Sequence, residues 1–250
     1  MAELDDILDS FALTPQLDVE RSALQRRLSW KFLLPAAAVP RLAKALAAQY
    51  TLVPVADRRS ATYRTLHFDT QCLDFYHAHR RGRRRCEKVR IRHYVDRGVS
   101  FFEVKQRFSE LKTVKWRREH PFGDNELRQE DLAFMRLHSR EHREIIPQAW
   151  THFRRVTLIN SRELERVTID VDLRFANEMR EISVPNAAVV EVKQPRFDRS
   201  TPIVFTLRRM GFRPRGFSKY CAAIVATHPG VRRNRIIPQL HALECLAHES

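Results

Sequence analysis

Cations occupy alternate positions in several strand-like stretches of this chain. The clearest stretch is Arg83–Phe108, where two alternating runs flank Asp96-Arg97-Gly98, a turn whose glycine can adopt a positive φ. Because successive side chains of a strand point to opposite faces, each run has one apolar face and one ionic face. The cations on these ionic faces are Lys88, Arg90, Arg92, Lys105 and Arg107, with Glu103 among them. The pattern indicates either a very basic surface or a set of cations that converge on an anion.

The same alternation recurs in other stretches. It places Lys31, Arg155, Arg166 and Lys193 on ionic faces, and Glu191 shares the face of Lys193. Buried like charges repel one another and lose hydration, so cations that point into one enclosed space need an anion or acidic partners. Arginine binds phosphate through its fixed fork, and lysine binds it as a point charge. Any single strand could be a solvated outer face, but the repetition favours a shared anion site.

Composition narrows the classes of partner. The 250 residues include 45 Lys and Arg against 30 Asp and Glu, a formal charge of +15, which favours nucleic acid, a phosphate-rich ligand or an acidic membrane. The four cysteines contain no CxxC pair, which is typical of reduced thiols in a cytoplasm. No apolar run approaches the roughly 18 residues of a membrane span. The acidic N-terminus is unlike a secretory signal peptide. We therefore expect a cytoplasmic protein with no membrane span.

The patterns predict an α+β protein whose many antiparallel strands are consistent with a barrel, with peripheral helices. Residues 1–20 are expected to form a loosely ordered acidic arm, 21–230 the main domain with a helical insertion at about 109–150, and 231–250 a C-terminal helical tail. A helix is predicted in the alanine-rich stretch after Pro40. Besides the hairpin, the predicted strands are Ala23–Leu34, Tyr63–Asp69, Trp150–Asn160, Glu163–Phe175 and Ala187–Gln194.

Three other patterns suggest different chemistry. His138-Ser-Arg-Glu-His142 matches the inverted zinc-protease motif, but no third zinc ligand can be nominated. Gly211–Ser218 has the glycine spacing of a phosphate-binding loop, but Phe217 stands where lysine is required. A basic chain with 15 Phe could also stack on single-stranded nucleic acid. The Phe residues of the hairpin alternate opposite its charges, which is typical of a core, so no nucleic-acid partner is expected.

Seven short segments carry a resemblance to a known family. In order they are WKFLLP (Trp30–Pro35), YRTLHFDT (Tyr63–Thr70), KVRIRHY (Lys88–Tyr94), FFEVKQR (Phe101–Arg107), RVTIDVDL (Arg166–Leu173), VVEVKQ (Val189–Gln194) and FSKY (Phe217–Tyr220). They resemble the VTC (vacuolar transporter chaperone) polyphosphate polymerase domain, of the triphosphate tunnel (CYTH-like) superfamily, from about Leu24 to Pro229. The resemblance implies an antiparallel eight-stranded barrel, a tunnel lined by basic residues that binds triphosphate or polyphosphate with a divalent metal, Mn²⁺ or Mg²⁺.

The resemblance also implies roles for individual residues. The catalytic set would be Lys31, Arg90, Arg92, Lys105, Arg155, Arg166 and Lys219. Lys88, Arg107 and Lys193 would bind substrate, and Glu191 would bind the metal. Most of these are the residues that strand alternation places on ionic faces, whereas Lys219 rests on the resemblance alone.

The function implied is metal-dependent transfer of the γ-phosphate of ATP to a growing polyphosphate chain, so the expected partners are ATP and polyphosphate or triphosphate. One departure matters. Triphosphate-hydrolysing relatives carry E-x-E-x-K on the first strand, but Arg27 and Ser29 stand at the two glutamate positions here. This argues against efficient hydrolysis, and it leaves a tunnel hydrolase or a non-catalytic polyanion-binding protein as alternatives. The chain lacks the SPX domain and membrane helices of the eukaryotic assemblies, as expected for a bacterial-type member.

Overall fold

The computed structural model describes residues 2–23, 28–109, 113–141, 143–234 and 236–238. Within them the chain forms seven α-helices and ten β-strands. The helices are α1 (Ala2–Asp9), α2 (Gln16–Ala23), α3 (Val39–Leu46), α4 (Asp74–Arg80), α5 (Gln129–His138), α6 (Pro202–Arg209) and α7 (Lys219–Thr227). The strands are β1 (Leu28–Pro35), β2 (Thr51–Leu52), β3 (Ala61–Asp69), β4 (Cys86–Tyr94), β5 (Val99–Arg107), β6 (Thr113–His120), β7 (Ile146–Asn160), β8 (Glu165–Ala176), β9 (Glu181–Val184) and β10 (Ala187–Gln194).

All the strands belong to one antiparallel sheet. Eight of them follow the order β1-β10-β8-β7-β3-β4-β5-β6, while β2 pairs with β7 and β9 pairs with β8. The α+β class is therefore confirmed, and the path contains the eight strands that the resemblance implies, although β6 was not predicted from its own sequence and two short strands are added. In the described part of the chain, the terminal strands β1 and β6 do not pair with each other. The expected barrel is thus open along this seam.

The sheet is nonetheless strongly curved. Adjacent strands lie about 4.8 Å apart, so the six intervals from β1 to β5 would span roughly 29 Å in a flat sheet. Loss of hydration lowers the pKa of Lys105 on β5, and repulsion from its neighbours, which include Lys31 on β1, adds to that shift. Charges interact this way only at close range. The sheet therefore curls until its first and seventh strands face each other across a narrow lumen.

Apolar residues cover the other side of the sheet. Val89, Ile91, Phe102 and Val104 are fully buried, as the alternation in the hairpin predicts, and Met135 of α5 belongs to the same core. A second core joins the convex side of β1, β10, β8 and β7 to α1, α3 and α6. Gly98 closes the hairpin with φ +60°, the positive value that its turn requires. The two cores hold the apolar faces so that the ionic faces share the lumen.

The N-terminal residues differ from expectation. The acidic arm is not loosely ordered: α1 and α2 form there, and Leu4, Leu8 and Phe11 are buried in the second core. Leu4 and Leu8 are one helical turn apart, so they share the face that packs on α3. The surrounding acids concealed this short amphipathic pattern. Ala23, where the first strand was expected to begin, ends α2, and the described part of that strand is Leu28–Pro35.

The prediction of a helical insertion was also wrong in part. The insertion at 109–150 is only partly helical, because it contains the edge strand β6 and the start of β7 besides α5. Most β6 side chains are exposed or half-buried, so its sequence lacks the usual apolar alternation. Helix α5 ends at His138, so His138 and Glu141 do not share a helix, and His142 lies outside the described residues. The strongly basic segment 77–85 is divided between α4, which continues to Arg80, and the turn that follows it.

Within the predicted tail, residues 235 and 239–250 lie outside the described residues. Arg27 does so as well. None of the described helices is long and apolar enough to cross a membrane.

Candidate active site

The strand register brings the predicted cations onto one surface. Residues directly opposite each other on adjacent antiparallel strands share a face. The opposed pairs are Lys31 with Glu191, Lys193 with Arg166, Asp170 with Arg155, Arg90 with Glu103, and Lys88 with Lys105. On β3, His67 and Thr65 lie opposite Arg90 and Arg92. We call this concave surface the ionic face. It carries every predicted site residue except Lys219, which reaches it from α7.

Glu103 holds two cations on the ionic face. Its side chain is 0% exposed and accepts hydrogen bonds from Arg90 Nε (2.7 Å), Arg90 Nη2 (2.5 Å) and Lys115 Nζ (3.1 Å). Burial opposes ionisation of this carboxyl, but Arg90, Arg92 and Lys115 outweigh burial and keep its pKa below the ordinary value. Glu103 is therefore a carboxylate that fixes the position of the Arg90 fork.

Asp170 plays the same part on β8. It accepts hydrogen bonds from Arg155 Nε (2.5 Å) and Nη2 (2.7 Å), and Lys219 pairs with it from α7. Burial opposes its ionisation, yet Arg155 and Lys219 lower its pKa below the ordinary value. Alternation from Arg166 along β8 puts Asp170 on the ionic face, but the sequence alone gives it no role. The strand register supplies that role, because it sets Asp170 directly opposite Arg155.

Asp172 shows where alternation fails. Counting by two from Asp170 puts Asp172 on the ionic face as well. The β7–β8 register instead shifts between His152 and Arg154, and Asp172 has φ +55°. Such an irregularity redirects the side chains that follow it. Asp172 accordingly pairs with Arg154 (3.2 Å), which also binds Asp5 of α1 (2.7 Å).

Glu191 is the third carboxylate on the ionic face. Ser29 Oγ donates a hydrogen bond to it at 2.5 Å, and Lys193 Nζ lies 3.6 Å from its other oxygen. Burial opposes its ionisation, but Lys193 and Lys31 hold its pKa well below the ordinary value. Its cation contacts are longer than those of Glu103 or Asp170. Glu191 therefore remains the carboxylate best able to bind a further cation.

Four cations in the middle of the ionic face, besides Arg107 at its end, are not neutralised in this way. Lys31, Lys88, Arg92 and Lys105 form no ion pair with any carboxylate in the described ranges. Lys88 donates to Ser218 Oγ at 3.0 Å, and Arg92 donates to Thr65 Oγ1 at 3.1 Å while lying over the Tyr63 ring. These partners are uncharged. The unpaired charges are the ones that an anion in the lumen would neutralise.

Crowding changes the acidity of these lysines. Loss of hydration among the surrounding groups, together with repulsion from Lys88, lowers the pKa of Lys105 to about 7, although the side chain is exposed to solvent. Burial likewise lowers the pKa of Lys88 to about 8, with Lys31 and Arg90 adding to the effect. Without an anion, protonation of these side chains is therefore incomplete near neutral pH. A bound phosphate chain would restore it.

Helix α7 covers the ionic face at one end. Ser218 caps its N-terminus by accepting a hydrogen bond from the Cys221 N–H (3.3 Å), and Lys219 in the first turn pairs with Asp170 of β8. Tyr220 donates to Asp69 at the end of β3, and its ring lies 5.1 Å from that of His67. Because His67 and Asp170 belong to the ionic face, these contacts place α7 over the end of the lumen where β3 finishes.

His67 is a residue of this surface that sequence reasoning missed. It is 3% exposed, its Nε2 lies 3.3 Å from Thr151 Oγ1, and its Nδ1 has no partner among the described residues. Burial, followed by repulsion from Arg90 and Arg92, lowers its pKa well below the ordinary value, so the ring is neutral. Thr65 and His67 are two positions apart on β3 and therefore share a face, but they belong to no distinctive motif.

The donor set can be tested against the expected divalent metal. In the described part of the chain, no group of three or more His, Cys, Asp or Glu side chains could hold a metal ion. Mg²⁺ commonly binds proteins through one or two carboxylates and completes its shell with water and substrate phosphates. Glu191 matches that mode, because Glu103 and Asp170 are each engaged by two cations. The residues fit a metal that arrives with the phosphate chain.

Comparison with protein families decides the relationship. The model of the VTC domain matches residues 26–228. The chain belongs to the VTC domain family. This VTC domain is accordingly a polyphosphate-related tunnel protein. No curated protein matches the sequence.

Several solved structures are similar to this VTC domain. A PH1012 protein from Pyrococcus horikoshii OT3 has 14% identity and a TM-score of 0.45, over 79% of this chain and 99% of that one. HpAC1 from Hippeastrum, proposed as an adenylyl cyclase and described as having dominant triphosphatase activity, has 17% identity and a TM-score of 0.47 over 79% and 94%. A Bacillus halodurans protein proposed as an adenylate cyclase has 12% identity and a TM-score of 0.46 over 78% and 94%. These similarities are distant, so the family assignment rests on the VTC domain match.

Proposed function

We propose that this VTC domain is a polyphosphate polymerase that transfers the γ-phosphoryl group of ATP to the end of a polyphosphate chain. The observation that supports it is that some cations of the ionic face are held by a buried carboxylate, whereas others have no carboxylate partner among the described residues. Four unpaired cations form a binding surface for phosphate, while Arg90 and Arg155 are held in fixed positions by Glu103 and Asp170. Fixed charges suit stabilisation of a transition state, because they need no reorganisation when the bond breaks.

In the proposed reaction a terminal oxygen of the chain attacks the γ-phosphorus of ATP. The bond from that phosphorus to the β–γ bridging oxygen breaks, ADP leaves, and the chain is one phosphate longer. The protein forms no covalent bond, since phosphoryl transfer depends chiefly on positioning and charge stabilisation. Lys31, Lys88, Arg92 and Lys105 would bind the phosphate oxygens, with Arg166 and Lys193 beside them on β8 and β10. Arg90, Arg155 and Lys219 would stabilise charge on the transferred group.

A divalent metal, Mn²⁺ or Mg²⁺, would neutralise charge on the phosphate oxygens when bound, and Glu191 would hold it. Ser29 orients the Glu191 carboxylate through its 2.5 Å hydrogen bond. Ser29 also stands where hydrolysing relatives have a carboxylate, so the site supplies fewer groups to activate water. This difference favours transfer to a phosphate acceptor over transfer to water.

The proposal is tested by incubating the purified protein with ATP and Mn²⁺ and resolving the products by length on a gel. Chains that lengthen with time are expected, and Arg90→Ala and Glu191→Ala should lose this activity. Arg174→Ala is the matched control, because Arg174 is exposed and paired only weakly with Glu181 at 3.8 Å. It should keep wild-type activity.

Two other outcomes identify the alternatives. Release of inorganic phosphate from triphosphate without chain growth would establish a tunnel hydrolase. Binding of polyphosphate without turnover under any divalent metal would establish a non-catalytic binding protein, which the loss of the first-strand carboxylate at Ser29 also favours. Either result would refute the polymerase proposal.

A further inference from the structure

An arginine-rich turn connects α4 to β4. Its sequence is RRGRRR, residues 80–85, and we call it the arginine turn. Its backbone is fixed by the end of α4. The Arg83 N–H donates to Ala78 O (3.1 Å), the Gly82 N–H donates to His79 O (3.0 Å), and Gly82 has φ +68°. These two hydrogen bonds form a Schellman motif, which terminates the helix at a glycine. The turn therefore has a defined backbone, from which its arginines project.

The arginine turn continues the ionic face. Lys88 and Lys105 lie opposite each other, and the next pair along the same face is Cys86 and Arg107. Arg107 Nη2 donates to the Arg83 carbonyl at 2.6 Å, which joins the end of β5 to the turn. Residues rise about 3.3 Å each along a strand, so Arg84 lies roughly 13 Å from Lys88 along the chain. Cationic positions thus run along β4 and β5 from the lumen to its outside rim, at the end where Lys88 contacts Ser218 and α7 begins.

The last three arginines of the turn are not neutralised by any carboxylate that the structure describes. Arg83, Arg84 and Arg85 are exposed, and none of them is ion-paired with a carboxylate among the residues that the structure describes. Arg107 Nε is buried and lacks a hydrogen-bond partner within those same residues. The neighbouring Glu87 is engaged elsewhere, by Gln106 (2.8 Å), Ser139 (2.5 Å) and the Arg140 N–H (3.1 Å). The rim therefore presents several uncompensated guanidinium groups.

The features of the turn favour phosphate polymer over nucleic acid. Single-stranded nucleic acids bind through base stacking on aromatic rings as well as through cations. The Phe108 ring beside Arg107 is already covered by the Arg140 guanidinium at 5.9 Å. A bare phosphate chain needs no ring, and the arginine fork matches its oxygens. Continuity with the ionic face points to the same ligand in both places.

We propose that the arginine turn, with Arg107, is an external binding site for the part of a polyphosphate chain that extends beyond the lumen. This inference rests on the proposed function, since it assumes polyphosphate in the lumen. Because Arg84 lies roughly 13 Å along the chain from Lys88, we expect a triphosphate bound among Lys31, Lys88 and Lys105 to leave the turn unoccupied. The site therefore makes affinity depend on chain length.

The test compares the binding of tripolyphosphate and of long-chain polyphosphate, without metal, to the full chain and a triple variant. The variant is Arg83→Ser, Arg84→Ser, Arg85→Ser, which keeps Gly82 and the helix end. Its Kd for the long chain should rise roughly tenfold, as the loss of three exposed ion pairs of ordinary strength would give. Its Kd for tripolyphosphate should be unchanged. The slope of log Kd against log salt should fall by about 2, at about 0.7 per contact with a single-stranded polyanion.

A charge-matched control separates a site from general electrostatics. Arg174, Arg208 and Arg209 are exposed arginines outside the ionic face, and their triple replacement by Ser removes the same charge. An equal loss of long-chain affinity in the control, or an equal loss for both chain lengths in the turn variant, would overturn the inference. Loss of single-stranded RNA binding with polyphosphate binding intact would assign the turn to nucleic acid instead. If the wild type binds neither length, the proposed function fails together with the inference.

Discussion

Removing the charge of Glu103 should weaken the fold and strengthen anion binding. The change is Glu103→Gln, which keeps the shape of the side chain but leaves Arg90 and Lys115 without their carboxylate. Breaking a buried ion pair by removing one partner costs about 3–5 kcal/mol. Gln can still accept a hydrogen bond, and Lys115 is 40% exposed, so a loss near the lower limit, about 3 kcal/mol, is expected. For a chain of this size that loss lowers Tm by roughly 6–12 °C.

Polyphosphate should reverse most of this loss. The variant has one more uncompensated positive charge on the ionic face, so its Kd for a phosphate chain should be lower than that of the wild type at low salt. A ligand at 100 times its Kd stabilises the folded state by about 2.7 kcal/mol. That value nearly equals the predicted loss. Denaturant unfolding with and without polyphosphate measures both quantities, and the stabilisation should be larger in the variant at equal ligand concentration.

Glu165→Gln is the control for this experiment. Glu165 is also 0% exposed, but its partners are the uncharged side chains of Tyr50, Gln194 and Thr201. Glu165→Gln should lower the free energy of unfolding, but the increase in that free energy on adding polyphosphate should equal the increase in the wild type. Weaker polyphosphate binding by Glu103→Gln than by the wild type would refute the reasoning, because it would mean that Glu103 does not compete with the ligand for cations.

Three further predictions concern other groups of the ionic face. The pKa of Lys105 is lowered to about 7, so phosphate binding at pH 8 should take up protons as the bound anion returns it to the charged form. Calorimetry in buffers of different ionisation enthalpy measures the uptake, and an unchanged uptake in Lys105→Met would contradict the assignment. Ser29→Glu places a second carboxylate beside Glu191, so the metal concentration for half-maximal chain growth from ATP should fall; no change would show that Glu191 does not bind the metal. Lys219→Met leaves Asp170 with one cation and should cost about 2 kcal/mol in urea unfolding, whereas an unchanged midpoint and slope would show the pair to be energetically neutral.

The ionic face could be predicted because its pattern is local. Side chains alternate along any strand, so Lys88, Arg90 and Arg92 must share a face whatever the strand pairs with. The apolar residues between them then had to enter a core, and Val89 and Ile91 do. The same local rule failed at Asp172, where an irregularity in strand pairing interrupts the alternation. It also failed for β6, whose charged edge-strand sequence carries little apolar signal.

The division between paired and unpaired cations could not be predicted, because it depends on strand register. Glu103 and Arg90 are thirteen positions apart, and Asp170 and Arg155 are fifteen apart, so their pairing follows only once the strands are aligned. Alternation therefore treated Arg90 and Arg92 as equivalent. The structure distinguishes them, since Arg90 is clamped by Glu103 and Arg92 has only uncharged partners. Substrate affinity should accordingly depend more on Arg92, and the chemical step more on Arg90. Arg92→Ala should therefore raise Kd more than Arg90→Ala does, and Arg90→Ala should lower turnover more than Arg92→Ala does.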